Sequence, residues 1–143
     1  MATMNLYADL PQLGAIREFV AQAGRELNVE ECVVPDLQLA VEEICANSIQ
    51  HGYNGQGGPI EVTVEAVEGG IQITVKDWGI SFDPQAVPIP DVEAPLEQRP
   101  LGGLGLFLVR KLMDEVRFEF DGVRGNSVVM MKQCSKKGGK QWK

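Results

Sequence analysis

Apolar residues recur along the chain with two periods, and the switches between them mark its elements. Thr3–Ala8 reads as a short strand. Leu13, Ile16, Val20, Ala23 and Leu27 then fall at spacings of three and four, one apolar face of a helix. Asp9 stands where an N-cap belongs, and Pro11 sits in the first turn, where its missing N–H costs little. A second helix is predicted from Pro35 and Asp36, with Leu37, Val41, Ile44 and Ser48 along one side and Leu39 and Ala40 widening it. It is expected to end near His51–Gly52, with Gly52 as the left-handed C-terminal residue. The following YNGQGGP segment, Tyr53–Pro59, cannot continue a helix.

The period then drops to two. Ile60, Val62, Val64 and Ala66 alternate with Glu61, Thr63 and Glu65, and Ile71, Ile73 and Val75 alternate with Gln72, Thr74 and Lys76. Glu68-Gly69-Gly70 between them reads as a hairpin turn. Each strand keeps one wet face, as in an antiparallel sheet covered on one side. Ile80–Pro100 carries five prolines and no clear period, the composition of a long functional loop or lid. Helical spacing returns over Leu101–Glu115, with Leu104, Leu108, Leu112 and Val116 on one face. Val116–Asp121 and Ser127–Lys132 close the pattern as a second hairpin around Asp121–Gly125. The order strand, helix, helix, hairpin, lid, helix, hairpin predicts an α+β fold, a two-layer α/β sandwich with helices on one face of a mixed, mostly antiparallel sheet.

Length and charge narrow the function. The 143 residues suit one domain, taken as 1–132, with 133–143 as a basic flexible tail. The net charge is −7, but Lys132, Lys136, Lys137, Lys140 and Lys143 lie at the end, so the part before Lys132 holds 8 basic and 20 acidic residues, a net of −12. An acidic body argues against direct nucleic-acid binding and suits a surface that meets basic patches on other proteins. The Lys-rich end, with Gly138 and Gly139 inside it, reads as a solvated terminus rather than a DNA arm. Cys32, Cys45 and Cys134 form no CxxC pair, which fits free thiols in a reducing cytoplasm; with His51 as the one histidine, a zinc site is disfavoured. No signal peptide or membrane span is read from the sequence.

Three short segments carry candidate chemistry. Glu43 and Asn47 are four residues apart and project from one side of the second helix, with His51 a turn further on. A carboxylate beside an amide oxygen is a hard donor set of the kind Mg²⁺ takes, though a solvated helix face explains the same pair. Asp77 ends a strand before Trp78-Gly79; it is a turn residue or an acceptor for an exocyclic amine, with Gly79 admitting a ring to the backbone. Gly102-Gly103-Leu104-Gly105 opens a helix, where free N–H groups and the helix dipole attract phosphate, although capping alone also calls for glycine. No Gly-Lys-Ser/Thr follows, so this is not a Walker A loop.

Taken in order, these segments resemble the GHKL (Bergerat-fold) ATP-binding superfamily. Glu43–Tyr53 (EICANSIQHGY) is similar to its N box, Asp77–Pro84 (DWGISFDP) to its G1 box and Gly102–Val109 (GGLGLFLV) to its G2 box. The His51-Gly52-Tyr53 ending and the Leu112–Val116 run are most similar to the anti-sigma factor serine/threonine kinases of the RsbW and SpoIIAB type. The resemblance implies ATP and Mg²⁺ as cofactors, Asn47 as the metal ligand and Glu43 as general base. It further implies Asp77 on the adenine amine, Gly79 against the ring, and Gly102, Gly103, Leu104 and Gly105 at the phosphates. Arg99 would reach the γ-phosphate, Ser127 would lie near adenine and His51 would support the phosphate end or the lid. Ser81 stands where the family pattern has a second glycine, which stiffens the lid hinge. The implied function is phosphorylation of a STAS-domain anti-anti-sigma protein and sequestration of a sigma factor, a partner switch controlling transcription, with a homodimer formed through the first strand. A non-catalytic ATP-binding partner-switch module is the alternative; Glu43 favours the enzyme. A histidine autokinase is disfavoured, because His51 lies inside the nucleotide motif and is the one histidine.

Overall fold

The computed structural model describes residues 1–80, 103–121, 125–136 and 140–141. The expected lid, with Arg99 and Gly102, lies outside them, as do residues 122–124. Strand β1 (Ala2–Ala8) leads through a one-turn 3-10 segment, Leu10–Gln12, into α1 (Leu13–Glu26). A second 3-10 turn, Glu31–Val33, precedes α2 (Val34–Asn47), which continues as a π-helical turn over Ser48–Gly52. The hairpin of β2 (Gly58–Val67) and β3 (Gly70–Asp77) follows, then α3 (Gly103–Leu112) and the hairpin of β4 (Glu115–Asp121) and β5 (Gly125–Gln133). Two-residue strands β6 (Ser135–Lys136) and β7 (Lys140–Gln141) pair with each other in the Lys-rich end.

The main sheet has the order β1-β2-β3-β5-β4. Every pairing among the described residues is antiparallel, so the expected mixed sheet is corrected: both hairpins are antiparallel by construction, and β1 and β5 also run opposite to the strands they join. Register fixes the faces, because side chains alternate along each strand. Ile60, Val62 and Val64 of β2 lie opposite Asp77, Val75 and Ile73 of β3, and Asp77, Val75 and Ile73 lie opposite Asn126, Val128 and Met130 of β5. This row of residues is buried beneath Ile16 and Val20 of α1, Leu37, Val41 and Ile44 of α2, and Leu106 and Val109 of α3. Each large aliphatic side chain buried there contributes about 1.5–3 kcal/mol. The alternate residues form the other, polar face, where the Thr3 and Thr63 hydroxyls meet at 3.3 Å and Gln72 donates to Glu65 at 3.1 Å.

Element ends differ from expectation for local reasons. Asp9 makes no side-chain cap bond, and the 3-10 turn after it defers α1 to Leu13. Gly52 does not take the left-handed conformation; Asn54 (φ 53°) and Gly55 (φ 80°) do, two residues later, because the π turn carries the helix on. The third helix stops at Leu112 rather than Glu115. There Lys132 Nζ donates to the Leu112 carbonyl at 2.5 Å, while Asp114 exchanges bonds with β5, its N–H to the Met131 carbonyl (2.9 Å) and its Oδ2 from the Gln133 N–H (2.6 Å). Val116, which continues the helical spacing, is therefore a core-facing residue of β4.

The β2–β3 turn is the two-residue Glu68-Gly69, with Gly69 at φ 83°. The next residue, Gly70, lies so close to the β5 backbone that a Cβ would collide with the Lys132 carbonyl. Gly70→Ala is expected to destabilise the fold by about 2 kcal/mol or more, the range of backbone-shifting overpacking. Urea unfolding measures it, and a midpoint equal to wild type contradicts the packing described.

Candidate nucleotide site

The buried face of the sheet is apolar until its β2–β3–β5 end, where it turns polar. Asn47 (4% exposed), Ser48 (4%), Asp77 (8%) and Asn126 (5%) are buried side by side in the walls of one cleft. Ile44, Ile80, Phe118, Phe120 and Val128 supply its apolar lining, and Gly52 lies at its edge. The cleft amounts to about 330 Å³ counted to its open mouth. Its exposed wall is the one formed by Ile80 and Phe120.

Asp77 is the hub. A carboxylate this deep needs donors on its oxygens. Its Oδ1 accepts from the Gly79 N–H (2.9 Å) and Asn126 Nδ2 (3.0 Å), and its Oδ2 accepts from Ser48 Oγ (2.7 Å). Asn126 Nδ2 also donates to the Gly79 carbonyl at 3.0 Å, and the Ile80 N–H donates to the Gly52 carbonyl at 2.7 Å. The end of α2, the end of β3 and the start of β5 are thereby tied to one residue. Tyr53 secures the turn from outside: its hydroxyl accepts from the Trp78 N–H (2.8 Å) and donates to the Pro59 carbonyl (2.7 Å). Its ring fills the space of a Cβ at Gly58, which accounts for tyrosine and glycine at those positions.

Asn47 shares the cleft wall, and its Nδ2 is buried without a hydrogen-bond partner. An unsatisfied buried amide N–H costs about 1–3 kcal/mol and calls for an acceptor, such as water or a phosphate oxygen. Among the described residues no group of three His, Cys, Asp or Glu side chains could hold a metal ion. The donor set fits an ion such as Mg²⁺ that takes one protein oxygen, from Asn47, and completes its shell with phosphate and water.

One turn earlier on α2, Glu43 faces the start of α3. A Cβ on Gly105 would stand 2.5 Å from Glu43 Oε2, so glycine there makes room for the carboxylate. Burial, and then the neighbouring Glu42 charge, push the Glu43 carboxyl above the usual carboxylate range. Glu42 is itself held by Arg17 of α1, whose Nε donates to it at 2.6 Å. Cys45 is fully buried and its thiol is pushed up to about 12, by burial first, so it is no nucleophile here.

Of the residues singled out from the sequence, Asn47 and Asp77 meet in the cleft, and Glu43 meets Gly105 beside it. Gly103 opens α3, where the phosphate reading placed it, whereas Arg99, Gly102 and the side chain of Leu104 lie outside the described residues. His51 is exposed on the π turn. Two expectations are corrected. Ser127 pairs with Lys76, on the face opposite Asp77; the residue that reaches the site is Asn126, directly across from Asp77. The reason for glycine at position 79 also differs: a Cβ would collide with the Gly52 carbonyl, so the missing side chain makes room for backbone. Ser48 and Asn126 were missed as site residues. The signal for Ser48 was a hydroxyl on an otherwise apolar helix row, which demands a buried partner. For Asn126 it was the preceding Gly125 (φ 100°), where a Cβ would stand 2.8 Å from the Asp77 carbonyl oxygen.

Comparison with known proteins agrees with this geometry. Residues 6–132 match the family described as Histidine kinase-like ATPase domain. The chain is 31% identical over 133 residues to proteins named Serine-protein kinase RsbW from Bacillus thuringiensis and Bacillus cereus, covering 90% of this chain and 82% of theirs. A Bacillus anthracis protein of the same name matches to the same extent. Among solved structures, the RsbU and RsbW domains of a Mycobacterium tuberculosis protein superpose with a TM-score of 0.60 over 94% of this chain, at 16% identity, which speaks to the fold; the match spans 33% of that longer chain. The chain belongs to the histidine kinase-like ATPase family and, within it, to the RsbW-type serine-protein kinases.

Proposed function

We propose that the protein binds ATP with its base in the Asp77 cleft and transfers the γ-phosphoryl group to a serine or threonine of a partner protein. The observation that carries this reading is the convergence of Asp77 and the unsatisfied Asn47 amide on one cleft, with Glu43 one turn away against the start of α3. Asp77 accepts an N–H of the base. The N–H groups at the start of α3, from Gly103 to Gly105, meet the phosphates at the positive end of the helix dipole. Asn47 would hold a magnesium ion, which would supply neutralisation of charge on the transferring group. Glu43 takes the proton from the acceptor hydroxyl, and positioning does most of the remaining work.

The acceptor is a STAS-domain anti-anti-sigma protein and the second partner a sigma factor, in keeping with the RsbW relatives. An acidic body suits docking on basic protein surfaces. No described helix is long and apolar enough to cross a membrane, and cytoplasmic partners fit the three free cysteines. β1 is an edge strand with no charged residue along Ala2–Ala8, open to pairing with a second copy in a homodimer.

Glu43→Ala is expected to leave ATP affinity nearly unchanged and to lower phosphotransfer to the STAS partner by about 100-fold or more, the scale of a lost general base. Transfer that survives the change removes Glu43 as base; ATP binding by wild type without any transfer favours the non-catalytic switch. Asp77→Asn is expected to weaken ATP binding at least about tenfold, the worth of a charged hydrogen bond, measured by calorimetry. Equal affinity removes the base-reading role. The acid limb of the single-turnover rate should have its midpoint above 4.5, because the Glu43 carboxyl is raised from that value and acts only when ionised. The rate should fall as pH drops through that midpoint, and a limb at or below 4.5 contradicts the assignment.

A further inference from the structure

Glu42 and Glu43 are adjacent carboxylates on α2, and they diverge. Glu43 faces Gly105 at the start of α3, whereas Glu42 turns to α1. There Arg17 Nε donates to Glu42 Oε1 at 2.6 Å, and the Arg17 Nη2 meets the same oxygen. One turn earlier on α2, Gln38 Nε2 donates to the Arg17 carbonyl at 3.2 Å. Arg17 is thus gripped by α2 at two successive turns, once by its backbone and once by its guanidinium. An ion pair with so exposed a partner, 54% for the Arg17 side chain, contributes little to stability. Its neighbour is the residue it can influence. Glu43 is half-buried, and both burial and the Glu42 charge oppose its ionised form. Among the described residues few other charges face it. Asn47 and Leu39, one turn away on α2, are uncharged, and His51, two turns on, is exposed. On α3, the stretch from Gly103 to Val109 carries no titratable side chain, and Arg110 and Lys111 lie in the last turn. The positive end of the α3 dipole favours the charged form.

We propose that Arg17 is a positioning residue for Glu43: by holding the Glu42 carboxylate against α1 and pairing its charge there, it keeps Glu43 ionised and able to accept a proton. This rests on the reading of Glu43 as the general base, which acts only in its charged form. With Arg17 in place, Glu43 has beside it a carboxylate that is paired and turned away. Without Arg17, the Glu42 carboxylate is bare and free to swing along α2, and like charge next to a half-buried carboxyl favours its neutral form. Arg17 itself lies beyond Glu42 as seen from Glu43, so its effect passes through Glu42. The Gln38 bond fixes the same register of α1 on α2 from the Arg17 backbone, so a substitution of the Arg17 side chain leaves that contact in place.

The test titrates the Glu43 side-chain carboxyl by carbon NMR of isotope-labelled protein, free of nucleotide and metal. The signal is assigned by its loss in Glu43→Gln. Wild type is compared with Arg17→Gln, Arg17→Lys, Glu42→Gln and the double variant Arg17→Gln/Glu42→Gln, with thermal melts confirming that each is folded. Arg17→Gln is expected to raise the Glu43 midpoint by about 0.3–0.5 pH unit, a twofold to threefold gain in proton affinity. Glu42→Gln should lower it by a similar amount, and Arg17→Lys, which keeps the charge, should recover at least half of the change. The double variant, which has no Glu42 charge left to control, should not exceed wild type. A midpoint unmoved in Arg17→Gln overturns the inference. So does a rise in both single variants, which marks lost packing rather than lost charge. A double variant raised as far as Arg17→Gln overturns it as well, since Arg17 then acts on Glu43 without Glu42. Those outcomes leave Glu43 standing as the base; phosphotransfer that survives Glu43→Ala overturns the base reading itself and this assignment with it.

Discussion

A buried carboxylate with its donors in place organises this molecule. Asp77 ends β3 inside the core, where an unpaired charge would cost several kcal/mol, and three separate parts of the chain arrive to satisfy it. Ser48 comes from the end of α2, the Gly79 N–H from the turn that follows Asp77, and Asn126 from β5. The close approaches follow from that demand. Gly52 and Gly79 pack backbone to backbone, and Gly125 lets β5 reach the Asp77 carbonyl. Removing any of these contacts leaves a charge in the core with too few partners, so the geometry of the cleft and the stability of that end of the sheet are one property.

The same constraint links the two halves of the site. Ser48 opens the π turn directly after Asn47, and Glu43 lies one turn earlier on α2, so fixing Ser48 on Asp77 also fixes the row that faces α3. Glu43 is packed where Gly105 lacks a side chain, which places a desolvated carboxylate beside the helix start to which the proposed function assigns the phosphates. Membership of the RsbW-type serine-protein kinases accords with that arrangement.

Much of this was legible in the sequence, because periodicity reports directly on which face is buried. The two helices, both hairpins and the one-sided sheet follow from spacings of three, four and two. Asn47, Glu43 and Asp77 were singled out by residue chemistry at helical and strand-end positions, and the family resemblance assigned their roles. What the sequence hid turns on single-residue geometry. Parity along β5 decides between Asn126 and Ser127, and only the register with Asp77 reveals it. Ser48 was read as a member of the apolar row, which is where it lies; its role depends on a partner 29 positions away. Gly79 carries glycine because the Gly52 carbonyl lies where its Cβ would be, and no local pattern encodes a contact between distant backbones. Helical spacing that runs on to Val116 hides the end of α3, because a residue on the core face of a strand suits both periods.

The proposed function requires a single ligand that touches α2, the β3 end, β5 and the start of α3 together. Titrating isotope-labelled protein with Mg·ATP and following its amide resonances by NMR tests this most directly. The side-chain amides of Asn47 and Asn126 and the backbone N–H groups of Gly79 and Gly105 should shift along one saturation curve. Saturable binding that leaves those four signals in place, while others move, contradicts it.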